Sequence, residues 1–128
     1  MDFHFSDEDI NFRAQLRQFL IEELPNDWNG GTTFGGDWDD DLTPKIRKKL
    51  AEKGWLTMHW PTEYGGQEGS PVRSLIFNEE MAYNGAPGRD ILGAQMLGPT
   101  LMICGNDEQK RRFLPPIAKA QVQWCQGY

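Results

Sequence analysis

Three groups of side chains in this 128-residue chain have the type and spacing to do chemistry, and none completes a site by itself. Asp37, Asp39 and Asp41 reproduce the first three ligand positions of an EF-hand loop. Leu42 then stands where the sharp turn requires Gly, and Lys48 where the bidentate Glu belongs, so the series reads as a solvated acidic loop and no metal site is assigned. Glu79 and Glu80 are adjacent. On a helix they diverge by about 100° and cannot act as one paired-carboxylate device. Neither heads a Glu-x-x-His ligand pair, because positions 82 and 83 are Ala and Tyr. Two carboxylates on a largely buried helix need partners, and Arg side chains or backbone N–H groups are the expected ones. The only histidines, His4 and His59, sit at no spacing that fixes a nucleophile or acid partner. A structural role is the reading for His59, between Met58 and Trp60. The glycines form neither a dinucleotide fingerprint nor a P-loop. No catalytic residue follows from these patterns.

The elements that would position such groups read as helices. Ser6-Asp-Glu-Asp9 is a helix start, with Ser6 as cap and acidic residues at the positive end of the dipole. Phe12, Leu16, Phe19, Leu20 and Leu24 then form one apolar stripe, and Pro25 ends it. Asn26 to Leu42 holds four glycines, three aromatics and five aspartates without periodicity, which predicts a long surface loop. Thr43-Pro44 opens a second helix that turns Ile46 and Leu50 inward and stops at Lys53-Gly54. Ser70-Pro71 caps a third, running to about Asn84, whose apolar residues nearly encircle it and predict burial on most sides. Ile91 to Cys104 is helical by length and composition, and Gly98-Pro99 should kink or restart it. Asn106 and Gln109 cap a last helix expected to end near Leu114, before Pro115-Pro116. The core should contain Phe12, Leu16, Phe19, Leu20, Ile46, Leu50, Leu75, Ile76, Ile103 and Phe113.

Val122 to Tyr128 is the exception: an aromatic and β-branched run that reads as a strand, with no second strand to pair with. A lone strand leaves its backbone donors and acceptors without partners. It is therefore expected to enter a sheet supplied from elsewhere, which would make this chain the first domain of something larger. Without that sheet, either self-association or poor order beyond Val122 is expected.

Composition narrows the function classes. Hydrophobic residues make up 38% and charged residues 25%, which excludes a disordered chain or a membrane span. The net charge of -6 argues against nucleic acid as a partner. The basic runs at Lys45 to Lys49 and Lys110 to Arg112 lie beside acidic residues and read as solvated helix faces. Cys104 and Cys125 are far apart and form no CxxC pair, consistent with two reduced thiols. Met1 to Ser6 lacks the basic and apolar regions of a secretory leader, which points to a cytoplasmic protein.

Four blocks taken in order carry a resemblance. They are Phe5-Ser6 with Phe12-Arg13 and Arg17-Gln-Phe-Leu20; Gly54-Trp55 with Trp60-Pro61 and Tyr64-Gly65-Gly66; Gly105-Asn106 with Glu108-Gln109-Lys110 and Phe113-Leu114-Pro115; and Trp124-Cys125-Gln126-Gly127-Tyr128. Together they resemble the amino-terminal helical domain of the acyl-CoA dehydrogenase family over essentially the whole chain. The resemblance implies an all-α, antiparallel bundle of about five helical segments over residues 1–121. Residues 122–128 would then begin a strand crossing into a flavin-binding β-domain.

For the parent protein the resemblance implies removal of two hydrogens across the α,β-carbons of an acyl-CoA thioester. FAD is the hydride acceptor, and the family's catalytic Glu lies in a second helical domain, so this chain alone would be inactive. Two positions carry over as FAD-proximal, Gln126 and Tyr128. The acyl-chain wall maps to Leu92, Met96 and Thr100, spaced to share one helical face; Leu92 and Met96 fit a plain core role equally well. The Trp-Cys-Gln-Gly-aromatic ending resembles bacterial branches acting on bulky or dicarboxylic acyl chains, some built from two different subunits, which implies a homo- or hetero-oligomer. The alternative function is a free-standing helical interaction module that kept the scaffold without the chemistry.

Overall fold

A computed structural model describes residues 5–30 and 41–128. His4, Asp37, Asp39 and most of the expected acidic loop lie outside the described residues. Within them the fold is all-α, and no strand occurs. Five α-helices run in order: α1 (Asp7–Glu23), α2 (Leu42–Glu52), α3 (Pro71–Tyr83), α4 (Gly98–Cys104) and α5 (Asp107–Ala118). A short 3₁₀ turn, Thr62–Tyr64, lies between α2 and α3, and a π-helical segment, Ile91–Leu97, leads directly into α4. The described residues form two compact units, one containing α1 and α3, the other containing the remaining elements.

In the first unit α1 packs on α3. Ser6 caps α1 by accepting the Asp9 N–H at 3.1 Å, and its hydroxyl donates back to the Asp9 carboxylate at 2.6 Å. Ser70 caps α3 in the same way through the Arg73 N–H. Such caps satisfy donors that have no partner within the first turn, and each is worth about 1 kcal/mol. Phe12, Leu16, Phe19 and Leu20 of α1 are buried, as are Ile76, Phe77 and Met81 of α3.

The expectation that α3 is buried on most sides does not hold. Leu75 is 60% exposed and Tyr83 88%, so Leu75 is not a core residue. An apolar residue at every angle makes a helix capable of burial all round. How many faces are covered depends on its neighbours, and here only the stripe carrying Ile76, Phe77, Glu80 and Met81 is buried.

In the second unit α2 ends as the sequence predicts. The Gly54 N–H bonds the Ala51 carbonyl and the Trp55 N–H reaches Leu50, a closing turn that needs the left-handed backbone Gly54 adopts at φ 69°. The chain then passes through Trp55 to Trp60, almost all of it buried, and doubles back so that the Glu68 N–H bonds the Trp60 carbonyl. Ile46, Leu50, Trp55, Leu56, Met58, Trp60, Leu114 and Ile117 are buried in this unit.

Two expectations in this unit are corrected. Helix α5 does not stop at Leu114 but carries Pro115 and Pro116 inside it and runs to Ala118. The prolines remove two helical hydrogen bonds, yet the extra turn buries Ile117 completely, and the Lys119 N–H still reaches the Pro115 carbonyl. Ile103 is 83% exposed on α4 and is not part of the core. Phe113 is half-buried, edge-on to Trp124 with ring centroids 5.6 Å apart.

Candidate functional site

The buried carboxylate of the first unit is Glu80. One oxygen accepts from Arg13 at 2.6 Å and from Arg17 at 2.8 Å, and the other accepts from the Arg17 Nε at 2.9 Å. Glu79, exposed, pairs with the second nitrogen of Arg13 at 2.7 Å. The bond from Arg17 is the main reason the Glu80 carboxyl is held below its usual value; burial opposes it, and Arg13 adds to it. Of the two kinds of partner expected for this pair, arginines are the ones present, and the charge is consumed in joining α1 to α3. A fully paired carboxylate of this kind is a structural tie and offers no free base. The signal was legible as Arg13 and Arg17 at i, i+4, facing a helix with adjacent acids.

The second unit contains a more unusual arrangement around the segment that carries Leu92, Met96 and Thr100. Asp90 is buried and its carboxylate accepts the Gly93 N–H at 2.8 Å; its other oxygen is buried without a hydrogen-bond partner. The Asp90 carboxylate fills the space where a side chain at position 93 would begin. The Asp90 carbonyl takes both the Ala94 and the Gln95 N–H, and the Gly98 N–H reaches Gly93, five residues back. That spacing is the π ladder. Pro99 has no N–H to give Ala94 in the same register. The Ala94 carbonyl is thus left open by the helix itself, and the buried indole N–H of Trp60 fills it at 2.9 Å. Gly98 lies against the same indole ring, so close that a Cβ there would overlap it. His59, next to Trp60, is exposed, yet desolvation of the part of its ring that meets the protein lowers its pKa below the ordinary value, with the Ala94 backbone opposing the shift.

Gly93, Ala94 and Gly98 form the buried side of this segment, and the other side is open. Leu92 is half-buried, Met96 is 48% exposed, and Thr100 is exposed with its hydroxyl donating to the Met96 carbonyl at 2.8 Å. Ile103, one turn further on, falls on the same line. Of the two roles the spacing allowed for Leu92 and Met96, the core role does not describe Met96. The Gly98-Pro99 interruption restarts the helix as expected, changing it from π to α.

Gln126 and Tyr128 lie within a tail that has no regular secondary structure. Both are exposed, and the Tyr128 hydroxyl donates to the Gln126 side chain at 2.8 Å. Among the described residues no backbone hydrogen bond involves residues 122–128. Trp124 is held against Phe113, with its indole nitrogen buried and unpartnered. Between α5 and the 3₁₀ turn lies an open groove of about 730 Å³, where Lys110, Arg111 and Lys119 alternate with Glu63 and Asp107. The mixture of signs fits a solvated face. Among the described residues no helix is long and apolar enough to cross a membrane.

Comparison with known proteins defines the class. Residues 6–121 match the family model described as acyl-CoA dehydrogenase, N-terminal domain, and the chain belongs to this family. It is 37% identical over 122 residues to the acyl-CoA dehydrogenase IpdE1 of Mycolicibacterium smegmatis, covering 91% of this chain and 31% of the relative. It is 45% identical over 80 residues to the acyl-CoA dehydrogenase FadE26 of Mycobacterium tuberculosis, covering 62% and 20%. Among solved structures, the ChsE4-ChsE5 complex from Mycobacterium tuberculosis superposes with a TM-score of 0.80 at 30% identity, over 96% of this chain and 30% of that one. The Tcur3481-Tcur3483 steroid acyl-CoA dehydrogenase gives 0.77 at 30% identity, over 96% and 32%. The chain therefore spans about a third of the length of the relatives it matches.

Proposed function

We propose that this chain is the substrate-side helical domain of an FAD-dependent acyl-CoA dehydrogenase, which introduces a double bond between the α and β carbons of an acyl-CoA thioester. The observation that carries the reading is the open face of the π–α segment. In a chain of this family, a line of Leu92, Met96 and Thr100 left uncovered beside a fully packed opposite side suits a wall for an apolar acyl group. Leu92 and Met96 would desolvate the chain, and the Thr100 hydroxyl, already bonded to Met96, adds no polar cost.

The tail fits one edge of a flavin site. Its backbone N–H and C=O groups are uncommitted among the described residues, and Gln126 and Tyr128 are the side chains that would approach the cofactor. FAD, when bound, accepts the hydride removed from the β-carbon. The base would come from another part of the parent protein, so no residue of this chain is assigned a catalytic role. The relatives named for steroid and two-component enzymes favour a bulky acyl group and a hetero-oligomer for this protein too. Reading the gene beyond Tyr128 tests the assignment. A Ser/Thr-Glu-Pro-Gly continuation into a β-rich sequence is expected, and a stop codon directly after Tyr128 would favour the interaction-module alternative.

A further inference from the structure

The hydrogen bond between Trp60 and Ala94 does more than fill a gap in the helix. It is made possible by three local features that have no other joint explanation. The Gly98 N–H bonds Gly93, Pro99 lacks an N–H, and Gly93 and Gly98 leave room for the Asp90 carboxylate and the indole ring. Each feature favours the π register over Ile91–Leu97, and each draws that segment onto Trp60 by its bare side. A π turn takes more residues than an α turn, so position i+4 lags where in an α-helix it would lead. The lag from Leu92 to Met96 and the lead from Met96 to Thr100 offset one another, which brings the three side chains close to a single line. Gly93, Ala94 and Gly98 form the buried side toward Trp60, and the line of Leu92, Met96 and Thr100 lies on the open side.

We propose that Trp60 is a positioning residue for substrate selection. By holding the Ala94 carbonyl it fixes the π register, and the register brings Leu92, Met96 and Thr100 into one line, the wall that the bulky acyl group of the proposed function would meet. The proposal rests on the reading of that face as the acyl wall. Trp60 touches no substrate; it acts through the backbone of residues 93–98.

The test uses Trp60→Phe, which keeps an aromatic ring and deletes the donor, beside Ile76→Val, a core change in the other unit. In the full-length flavoprotein, KM for a polycyclic acyl-CoA should rise relative to octanoyl-CoA by roughly threefold to tenfold, with kcat for both within about twofold. Ile76→Val should leave the ratio unchanged. Equal losses on both substrates in Trp60→Phe would overturn the proposal.

A second arm reads the register directly, by hydrogen exchange in the chain itself. The Gly98 amide should exchange faster in Trp60→Phe while the amides of Ile46 and Leu50 do not, and unchanged Gly98 exchange would overturn the proposal. If the full-length protein oxidises neither thioester, the functional assignment fails, and this arm still decides whether Trp60 holds the register. Should Trp60→Phe not fold, Pro99→Ala supplies a rival N–H for Ala94. The Trp60 indole proton should then exchange faster, and no change in its exchange would refute the pin.

Discussion

The indole N–H of Trp60 donates to the backbone carbonyl of Ala94 at 2.9 Å, in a buried contact between residues far apart in the chain. The carbonyl needs that donor because the helix around it is wound with five-residue spacing and the next candidate donor is Pro99. A buried amide oxygen without a partner costs about 1–3 kcal/mol, so the loop that carries Trp60 and the helix that carries Ala94 stabilise one another.

Gly98→Ala tests how closely the two are fitted. A methyl at position 98 would overlap the indole ring, and the ring is fully buried with little room to move. Overpacking of this kind costs about 1–3 kcal/mol. A urea midpoint lowered accordingly, with an unchanged slope, is the expected result.

Glu80→Gln should destabilise the chain by about 1–3 kcal/mol, because it leaves Arg13 and Arg17 facing a neutral group across the α1–α3 contact. Arg17 is largely exposed and can turn to water, which keeps the loss below that of a fully buried pair. Glu79→Gln, on the exposed side of the same network, should change stability by less than about 0.5 kcal/mol. Chemical denaturation of the two variants side by side measures the difference.

Acid should weaken the fold in two windows. His59 is held below 6.5, so the unfolded chain takes up its proton first, and stability falls as pH drops below that value. Glu80 is held below 4.5, so its contribution is complete above that pH and is lost as pH falls through the lowered value. Thermal melts between pH 7 and pH 3 should show both declines. His59→Gln should abolish the first and leave the second.

The chain alone should not retain flavin. Gln126, Tyr128 and the backbone around them offer a single edge of contact from a segment without regular structure, too little to offset the entropy lost on association. Purified chain mixed with FAD and desalted should show no flavin absorbance.

The helical framework was legible because it is written locally. Ser6, Ser70 and Asn106 cap where their types and spacing say, and Gly54 closes α2. That Glu80 would need partners followed from the cost of burying a carboxylate, but whether Arg or backbone N–H groups supply them did not. What could not be read was coverage. Leu75 and Ile103 carry the same hydrophobic signal as Ile76 and Leu114, and only the arrangement of neighbours makes two of them exposed and two buried. The prolines of α5 misled for a related reason: their local penalty is real, but the burial of Ile117 outweighs it. The π register was invisible as well. Its causes are an indole more than thirty positions away, a proline and two glycines, none of which signals a π turn alone. Gly98-Pro99 gave only the place where the winding changes.

The most direct test of the account is anaerobic titration of the full-length protein containing this chain with a ring-bearing acyl-CoA, followed by flavin absorbance. Such a protein should be yellow, its flavin should bleach as the thioester is added, and the α,β-unsaturated acyl-CoA should be recovered as product. A full-length protein that carries no flavin, or whose flavin stays oxidised with every acyl-CoA tried, would contradict it.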